Sequence, residues 1–374
     1  MDKKRVLLLL SGIMTEFHRG VCNYARSAGW HLTSNMVLDY RHDILNTWKG
    51  DGVIVSLGSD PELFEFIQSL DCPFVDLACT RIDISAHRFL PNEDEIARLA
   101  YEHFRENGYI HFAFWGRHGY ETEKRRRKAL NKILSVNSFH LHDLGQGIFI
   151  EDMKSNVDIL AERLKALPLP CAIFCINDIA AVELIETAMQ CGLRIPEDLA
   201  VLGSNNNQFA REASPIPLST IDLSMRVRAE EAAAKLDELM SGNFSKPQEH
   251  QYKVRGLIPD KSSDETVFEH EGFTLALSYI KSNFTEQITA EEIAENVSLS
   301  RRALERHFSI QLGRTITEEI HRRRIRQAKA LLLSSTQAVS KIGKLCGYNY
   351  PQSFHKNFFR LEELTPAKFR ERYL

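Results

Sequence analysis

Ser300-Arg301-Arg302-Ala303-Leu304-Glu305-Arg306-His307-Phe308, followed by Gly313-Arg314-Thr315, is written again about fifty residues later as Pro351-Gln352-Ser353-Phe354-His355-Lys356-Asn357-Phe358, followed by Leu364-Thr365-Pro366. Phe308 matches Phe358, Arg306 matches Lys356 and Thr315 matches Thr365. A fixed offset of this kind marks a duplicated supersecondary unit. Leu304 and Phe308 in one copy, and Phe354 and Phe358 in the other, are four residues apart. Each pair lines one face of a helix and leaves cationic or hydrogen-bonding side chains on the other. A helix of that kind is the shape that enters a DNA major groove. Arg301, Arg302 and Arg306, with Gln352, His355 and Lys356, are the candidate DNA contacts.

The residues before each copy complete a helix-turn-helix. Thr289 and Glu292 have the spacing of a capping box, and Ile293 and Val297 face inward. Ser298-Leu299-Ser300 makes the turn, with Ser300 capping the next helix. In the second unit Val339–Cys346 precedes a turn at Gly347-Tyr348-Asn349-Tyr350, and Gly347 takes the left-handed cap position. Between the units, Thr317–Leu333 lacks Gly and Pro and predicts one continuous helix, buried along Ile320, Ile325, Ala328 and Leu332. Such a helix fixes the separation of the two reading helices, which must be about 34 Å to enter successive grooves on one DNA face. For Arg322, Arg323 and Arg324 two roles stay open, a solvated helix face or phosphate contact; for Arg324 a pair with an internal acid is a third. Charge agrees with a phosphate-binding module. From Ser300 onward sixteen Lys and Arg stand against six Asp and Glu, although the chain as a whole has a formal net charge of −3. A basic segment on an acidic body is its footprint.

From Phe273 to Leu374 the chain resembles an AraC/XylS-type DNA-binding domain. The resemblance is carried by Ile293-Ala294, Leu304, Arg306, Phe308, Gly313, Arg324-Ile325, Ala328, Leu331-Leu332, Gly347-Tyr348, Phe354, Phe358, Thr365-Pro366 and Phe369-Arg370. It departs at Glu363, where the family usually has Gly. A left-handed backbone there strains a non-glycine residue.

The first two-thirds alternates short apolar runs with amphipathic segments. Strands are predicted at Val6–Leu10, Trp30–Ser34, Gly52–Ser56, Phe74–Ala78, Phe112–Trp115, Ala172–Ile176 and Ala200–Gly203. Helices are predicted at Phe17–Ala28, Pro61–Ser69, Asp94–Asn107, Lys124–Val136, Asp152–Ala166, Ile179–Cys191 and Met225–Ser241. The pattern predicts α/β architecture, two doubly wound parallel sheets in a bilobed body, followed by an all-α domain. Residues 171–181, continuing through 191–203, end a strand at Asn177-Asp178 and turn at Gly192 and Pro196-Glu197-Asp198. Ligands bind open α/β sheets at such strand ends. Residues 4 to 258 resemble the lac-repressor-type effector core, related to periplasmic sugar-binding proteins. The two domains together resemble the xylose-operon-regulator (XylR) subgroup of AraC-type activators.

That resemblance implies a sensor over 1–258, a linker over 259–267 and a reader over 268–374. It implies a sugar effector, xylose among the candidates, and operator DNA as partners. A homodimer and a contact with RNA polymerase belong to the same expectation. Arg125, Asp178 and Asn205 map to ligand-facing positions, and Phe17 and Trp115 lie at strand ends where a ring either stacks on a sugar face or packs in the hinge. Asn205 stands where sugar-binding relatives often carry Asp, so the alternatives of a non-sugar effector or none stay open.

Other classes fit less well. The opening Val6–Leu10 is a buried strand, not a signal peptide, and no run reaches the roughly 18 apolar residues of a membrane span. Seven scattered cysteines without a CxxC pair suit a reduced cytoplasm. Leu10-Ser11-Gly12-Ile13-Met14-Thr15-Glu16 lacks the GxGxxG turn of a nicotinamide enzyme. No triad, P-loop or zinc spacing suggests an enzyme, a metal or a cofactor.

Overall fold

The computed structural model describes residues 3–10, 14–34, 45, 47–58, 61–80, 82–149, 157–268 and 270–373. Its strands are β1 (Arg5–Leu10), β2 (His31–Ser34), β3 (Gly52–Ser56), β4 (Phe74–Asp76), β5 (His87–Pro91), β6 (His111–Trp115), β7 (Leu141–Asp143), β8 (Cys171–Cys175), β9 (Leu199–Ser204), β10 (Ser219–Asp222), β11 (Glu249–Tyr252) and β12 (Gly256–Ile258). They form two six-stranded sheets, ordered β11-β5-β4-β3-β1-β2 and β12-β10-β9-β8-β6-β7. Every described pairing is parallel except β10 with β12. The apolar runs of β1, β3 and β8 are the buried centres of these sheets, as strands covered on both faces require.

Among the described residues, eight helices belong to this part: α1 (Thr15–Ala28), α2 (Pro61–Gln68), α3 (Glu93–Glu106), α4 (Glu121–Val136), α5 (Val157–Lys165), α6 (Asp178–Gln190), α7 (Gln208–Ala213) and α8 (Met225–Met240). The expected helix start at Asp152 lies outside the described residues. Val21 and Ala25 of α1 pack with Ala229, Ala232, Ala233 and Leu236 of α8 over the first sheet. A Cβ at Gly20 would lie 2.3 Å from the Arg226 carbonyl oxygen, so only glycine lets these helices meet. The chain passes between lobes three times: from β5 into α3, from β10 into α8, and from β11 to β12.

The remaining helices are α9 (Glu271–Asn283), α10 (Ala290–Asn296), α11 (Arg301–His307, running on as a π turn over Phe308–Leu312), α12 (Ile316–Ser334), α13 (Val339–Leu345), α14 (Pro351–Glu362) and α15 (Pro366–Tyr373). They make two small cores. Phe273, Leu277, Ile293, Leu304 and Phe308 form one, and Ile342, Phe354, Phe358 and Phe369 the other. Ile316 and Ile320 of α12 enter the first, while Ile325, Ala328 and Leu332 enter the second. One uninterrupted helix therefore belongs to both units, and all four residues of its expected stripe are buried.

One local expectation needs correction. Thr289 accepts the Glu292 amide (3.2 Å), but the Glu292 carboxylate takes the Tyr279 hydroxyl (2.7 Å) instead of closing a box. The reciprocal box forms at Thr315 and Glu318. The stretch after Pro259 is docked on the second lobe. Ser262 and Ser263 are fully buried, and Ser262 exchanges bonds with Val201, Pro217 and Ser219 beside the second sheet.

Candidate effector cleft and nucleic-acid interface

A cavity of about 650 Å³ opens between the lobes, at the carboxyl ends of the strands, where ligands of such sheets bind. Phe17, Arg125 and Asn205 line it. Arg125 of α4 reaches across to the first lobe, donating to both oxygens of Glu249 at 2.9 and 3.0 Å and also to Glu121 at 3.1 Å. It is a latch between lobes as well as part of the wall. Asn205 and Asn206 both have positive φ, 98° and 52°, so the loop after β9 is held in a strained conformation.

Asp178 and Trp115 are not brought to the cleft. Asp178 is fully buried behind it, accepting from Thr220 Oγ1 and the Asn207 amide, both at 2.6 Å. It ties α6, β10 and the Asn205 loop together, and so is a positioning residue. Burial lifts its carboxyl to about 7 against the pull of those two bonds. Trp115 is buried in the second-lobe core with Ala113 and Ile173. Side chains alternate along β6, and Trp115 takes the face opposite Phe112 and Phe114.

Two cleft arginines were missed. Arg126 is buried and gives a two-pronged pair to Glu93 (2.8 and 2.9 Å), with further bonds to the Ile176 carbonyl (2.6 Å) and Ser204 Oγ (2.9 Å). Arg228, on α8, donates to the Phe89 and Leu77 carbonyls and lies 5.0 Å from the Phe17 ring. The available signal was a cation on an apolar stripe. Arg126 precedes Leu130 and Leu134 by helical spacing, as Arg228 precedes Ala232 and Leu236.

The candidate DNA residues lie on matching faces of α11 and α14. Along 301–308 and 351–358 the exposure runs identically: two exposed, one half-buried, one buried, twice over. Arg302 and Arg306 thus hold the places of Gln352 and Lys356. Among the described residues none of these four makes a hydrogen bond or ion pair, and His355 touches only the Phe354 ring. Arg301 differs, because Glu305 (2.8 Å) and Glu291 already hold it.

The connector arginines are occupied elsewhere. Arg324 donates to the Phe284 and Glu286 carbonyls at 2.6 and 2.7 Å, not to an acid. Arg323 pairs with Glu319 at 2.5 Å. Arg314, Arg322 and Arg326 converge on Glu106 at the end of α3, at 3.0, 3.1 and 2.9 Å. A carboxylate is unfavourable at a helix C-terminus and burial would raise it further, yet the guanidinium groups of Arg326, Arg314 and Arg322 hold Glu106 well below the usual carboxylate range. A second docking point lies on the lobe crossings. Lys253 pairs with Glu363 at 2.5 Å, and the Tyr373 carbonyl accepts from Arg255 (2.6 Å) and Arg226 (3.5 Å). Glu363 adopts φ 56°, matching φ 63° at Gly313 in the first unit.

Comparison with known proteins agrees with both halves. A family model described as a periplasmic binding protein-like domain matches residues 101–263, and a helix-turn-helix domain model matches 293–372. The xylose operon regulatory protein of Escherichia coli (strain K12) is 24% identical over 363 residues, covering 94% of this chain and 92% of that protein. That of Haemophilus influenzae is 26% identical over 351 residues, covering 91% and 90%. A solved structure of the xylose-binding transcription activator xylR superposes with a TM-score of 0.61 at 22% identity, covering 99% of this chain and 98% of that one.

Proposed function

We propose a working cycle for this chain, which belongs to the AraC/XylS-type transcription regulators that carry a lac-repressor-type sensor, the xylose-operon-regulator subgroup. The chain is a transcription regulator, not an enzyme, with a sugar-sensing domain and a helix-turn-helix reader. We place the sensor at 1–258, the linker at 259–267 and the reader at 268–374. Arg302, Arg306, Gln352, His355 and Lys356 face DNA, and Arg301 contributes once its acids release it. A sugar enters the cleft against Phe17, Arg125, Arg126 and Asn205, and xylose, named for the relatives, is the first to test. Asp178 shapes the cleft from behind.

A ligand shifts DNA affinity only through its differential affinity for two sensor states. The route runs through the lobe crossings. Arg226, Lys253 and Arg255 stand on two of the three crossings and hold the end of α15 and the cap of α14. Lobe closure bends those segments and moves the second reading helix with them. A homodimer in the cytoplasm, with RNA polymerase as a further partner at the promoter, completes the reading; the free cysteines suit that compartment.

The observation that carries the DNA assignment is the identical exposure pattern of the two reading helices, with their outward polar groups uncommitted. Arg302→Ala or Gln352→Ala should weaken binding to a selected operator by about 1–3 kcal/mol and relax one position of the preference. Mobility-shift titration against the operator and its single-base variants measures both. Unchanged affinity and selectivity in both variants would remove these helices from the DNA.

A further inference from the structure

Each reading helix offers four exposed positions in the same order: 301, 302, 305 and 306 on α11, and 351, 352, 355 and 356 on α14. Seven of them hold Arg, Lys, Gln, His or Pro, and Glu305 alone is a carboxylate. It takes the place that His355 has on α14, one turn on from Arg302 and next to Arg306. Its side chain is 50% exposed. Oε1 accepts from Arg301 Nε at 2.8 Å. Among the described residues Oε2 has no partner.

The fold gives little reason for an acid here. An exposed ion pair contributes little stability, and an acid four residues after its cation is the weaker order on a helix. Glu305 also stands in the last turn of α11, where the partial charge of the helix end is itself negative. Facing DNA, the acid is worse placed still. Affinity for a duplex comes from cations that neutralise phosphates, and a fixed negative charge on the same face opposes it. Base edges in the major groove supply what the phosphates do not. Cytosine presents its N4 amine as a donor, whereas guanine presents O6 and N7, and thymine O4, all acceptors that repel a carboxylate.

We propose that Glu305 is a base-selecting residue: its free oxygen accepts a hydrogen bond from the exocyclic amine of a cytosine and turns away guanine and thymine at that place. This rests on α11 lying in the major groove. Phosphate repulsion makes the residue selective, because the lost affinity is recovered only where a base amine meets the carboxylate. His355, at the matching position, has ring nitrogens that can donate, so the two units differ here in what they accept from DNA.

The test uses the full chain. Selection from a pool of randomised duplex DNA gives its operator. Mobility-shift titration then compares the four base pairs at each position in turn. The wild type is expected to favour cytosine about 10-fold over guanine or thymine at one position of the block read by α11. Glu305→Ala should level that position, leave the others as they were, and bind random duplex at least as tightly as the wild type. Glu305→Gln should move the preference there to adenine, since a carboxamide both donates and accepts. The levelling should persist when Glu305→Ala is added to Arg301→Ala, because the carboxylate acts on the base and not by holding Arg301. A change of equal size at every base overturns the inference, as does one that disappears in the Arg301→Ala background; either leaves the reading helices in place. Should Arg302→Ala and Gln352→Ala also leave affinity and preference untouched, the placement of both helices on DNA falls, and this inference with it.

Discussion

Asp178 is fully buried, and burial lifts its carboxyl from an ordinary 3.8 to about 7. A carboxyl raised in the folded state keeps a proton that the unfolded chain has already released. Stability from this group is therefore greatest below about pH 4 and declines as pH rises toward 7, by on the order of 2–4 kcal/mol over the window. Asp178→Asn should flatten that decline, measured as the difference in urea-unfolding free energy between pH 5 and pH 7.5. An unaltered pH profile would mean the group is ionised throughout. Individual side chains were only partly legible in the sequence. Phe17, Arg125 and Asn205 sit on the cleft wall where strand ends and family positions put them. Trp115 sits one layer behind because which face a strand residue takes depends on the pleat, and Asp178, the first residue of α6, turns back to accept from Thr220 and the Asn207 amide. Arg126 lies one residue from Arg125, and in the Arg125-Arg126-Arg127 run only helical phase separates the inward residue from its neighbours.

At the scale of elements, α12 is the member that both reading units share. Arg326→Pro in its interior should cost about 3 kcal/mol or more and detach one core from the other. The expected outcome is loss of the two-groove footprint on operator DNA with the sensor's melting transition intact; a normal footprint would show that α12 does not set the spacing. This helix was legible nearly to its ends, because nineteen residues without Gly or Pro and a clean apolar stripe leave no alternative. The central strands were legible for the same reason. His87–Pro91, Leu141–Asp143, Ser219–Asp222, Glu249–Tyr252 and Gly256–Ile258 were not. They are short and mixed in polarity, and their strand character comes from neighbours already in the sheet. Glu249–Tyr252 joins the first sheet from far along the chain, a pairing that no local pattern signals.

At the scale of the whole molecule, Glu106 holds the reader against the sensor through three arginines. Glu106→Gln leaves those guanidinium groups without their shared carboxylate, and removing one partner of a buried pair costs about 3–5 kcal/mol. The variant should still bind operator, while the change in operator affinity on adding effector shrinks or vanishes. Parallel operator titrations with and without the sugar measure this, and full retention of the effector response would place the coupling elsewhere. The charge asymmetry announced a basic reader correctly. It could not announce that Arg314, Arg322 and Arg326 converge on Glu106 of the sensor, which lies more than two hundred residues earlier in the chain.

The two reading helices share one frame of buried residues and differ in what they hold outward. A guanidinium favours guanine and a carboxamide favours adenine, so on the proposed assignment Arg302 and Gln352 would ask for different bases from matching positions. Exchanging the two blocks of an operator half-site would then present each helix with the other's letters. On that assignment the site would have an arrow, and the arrow would settle which way along the chromosome a bound chain points.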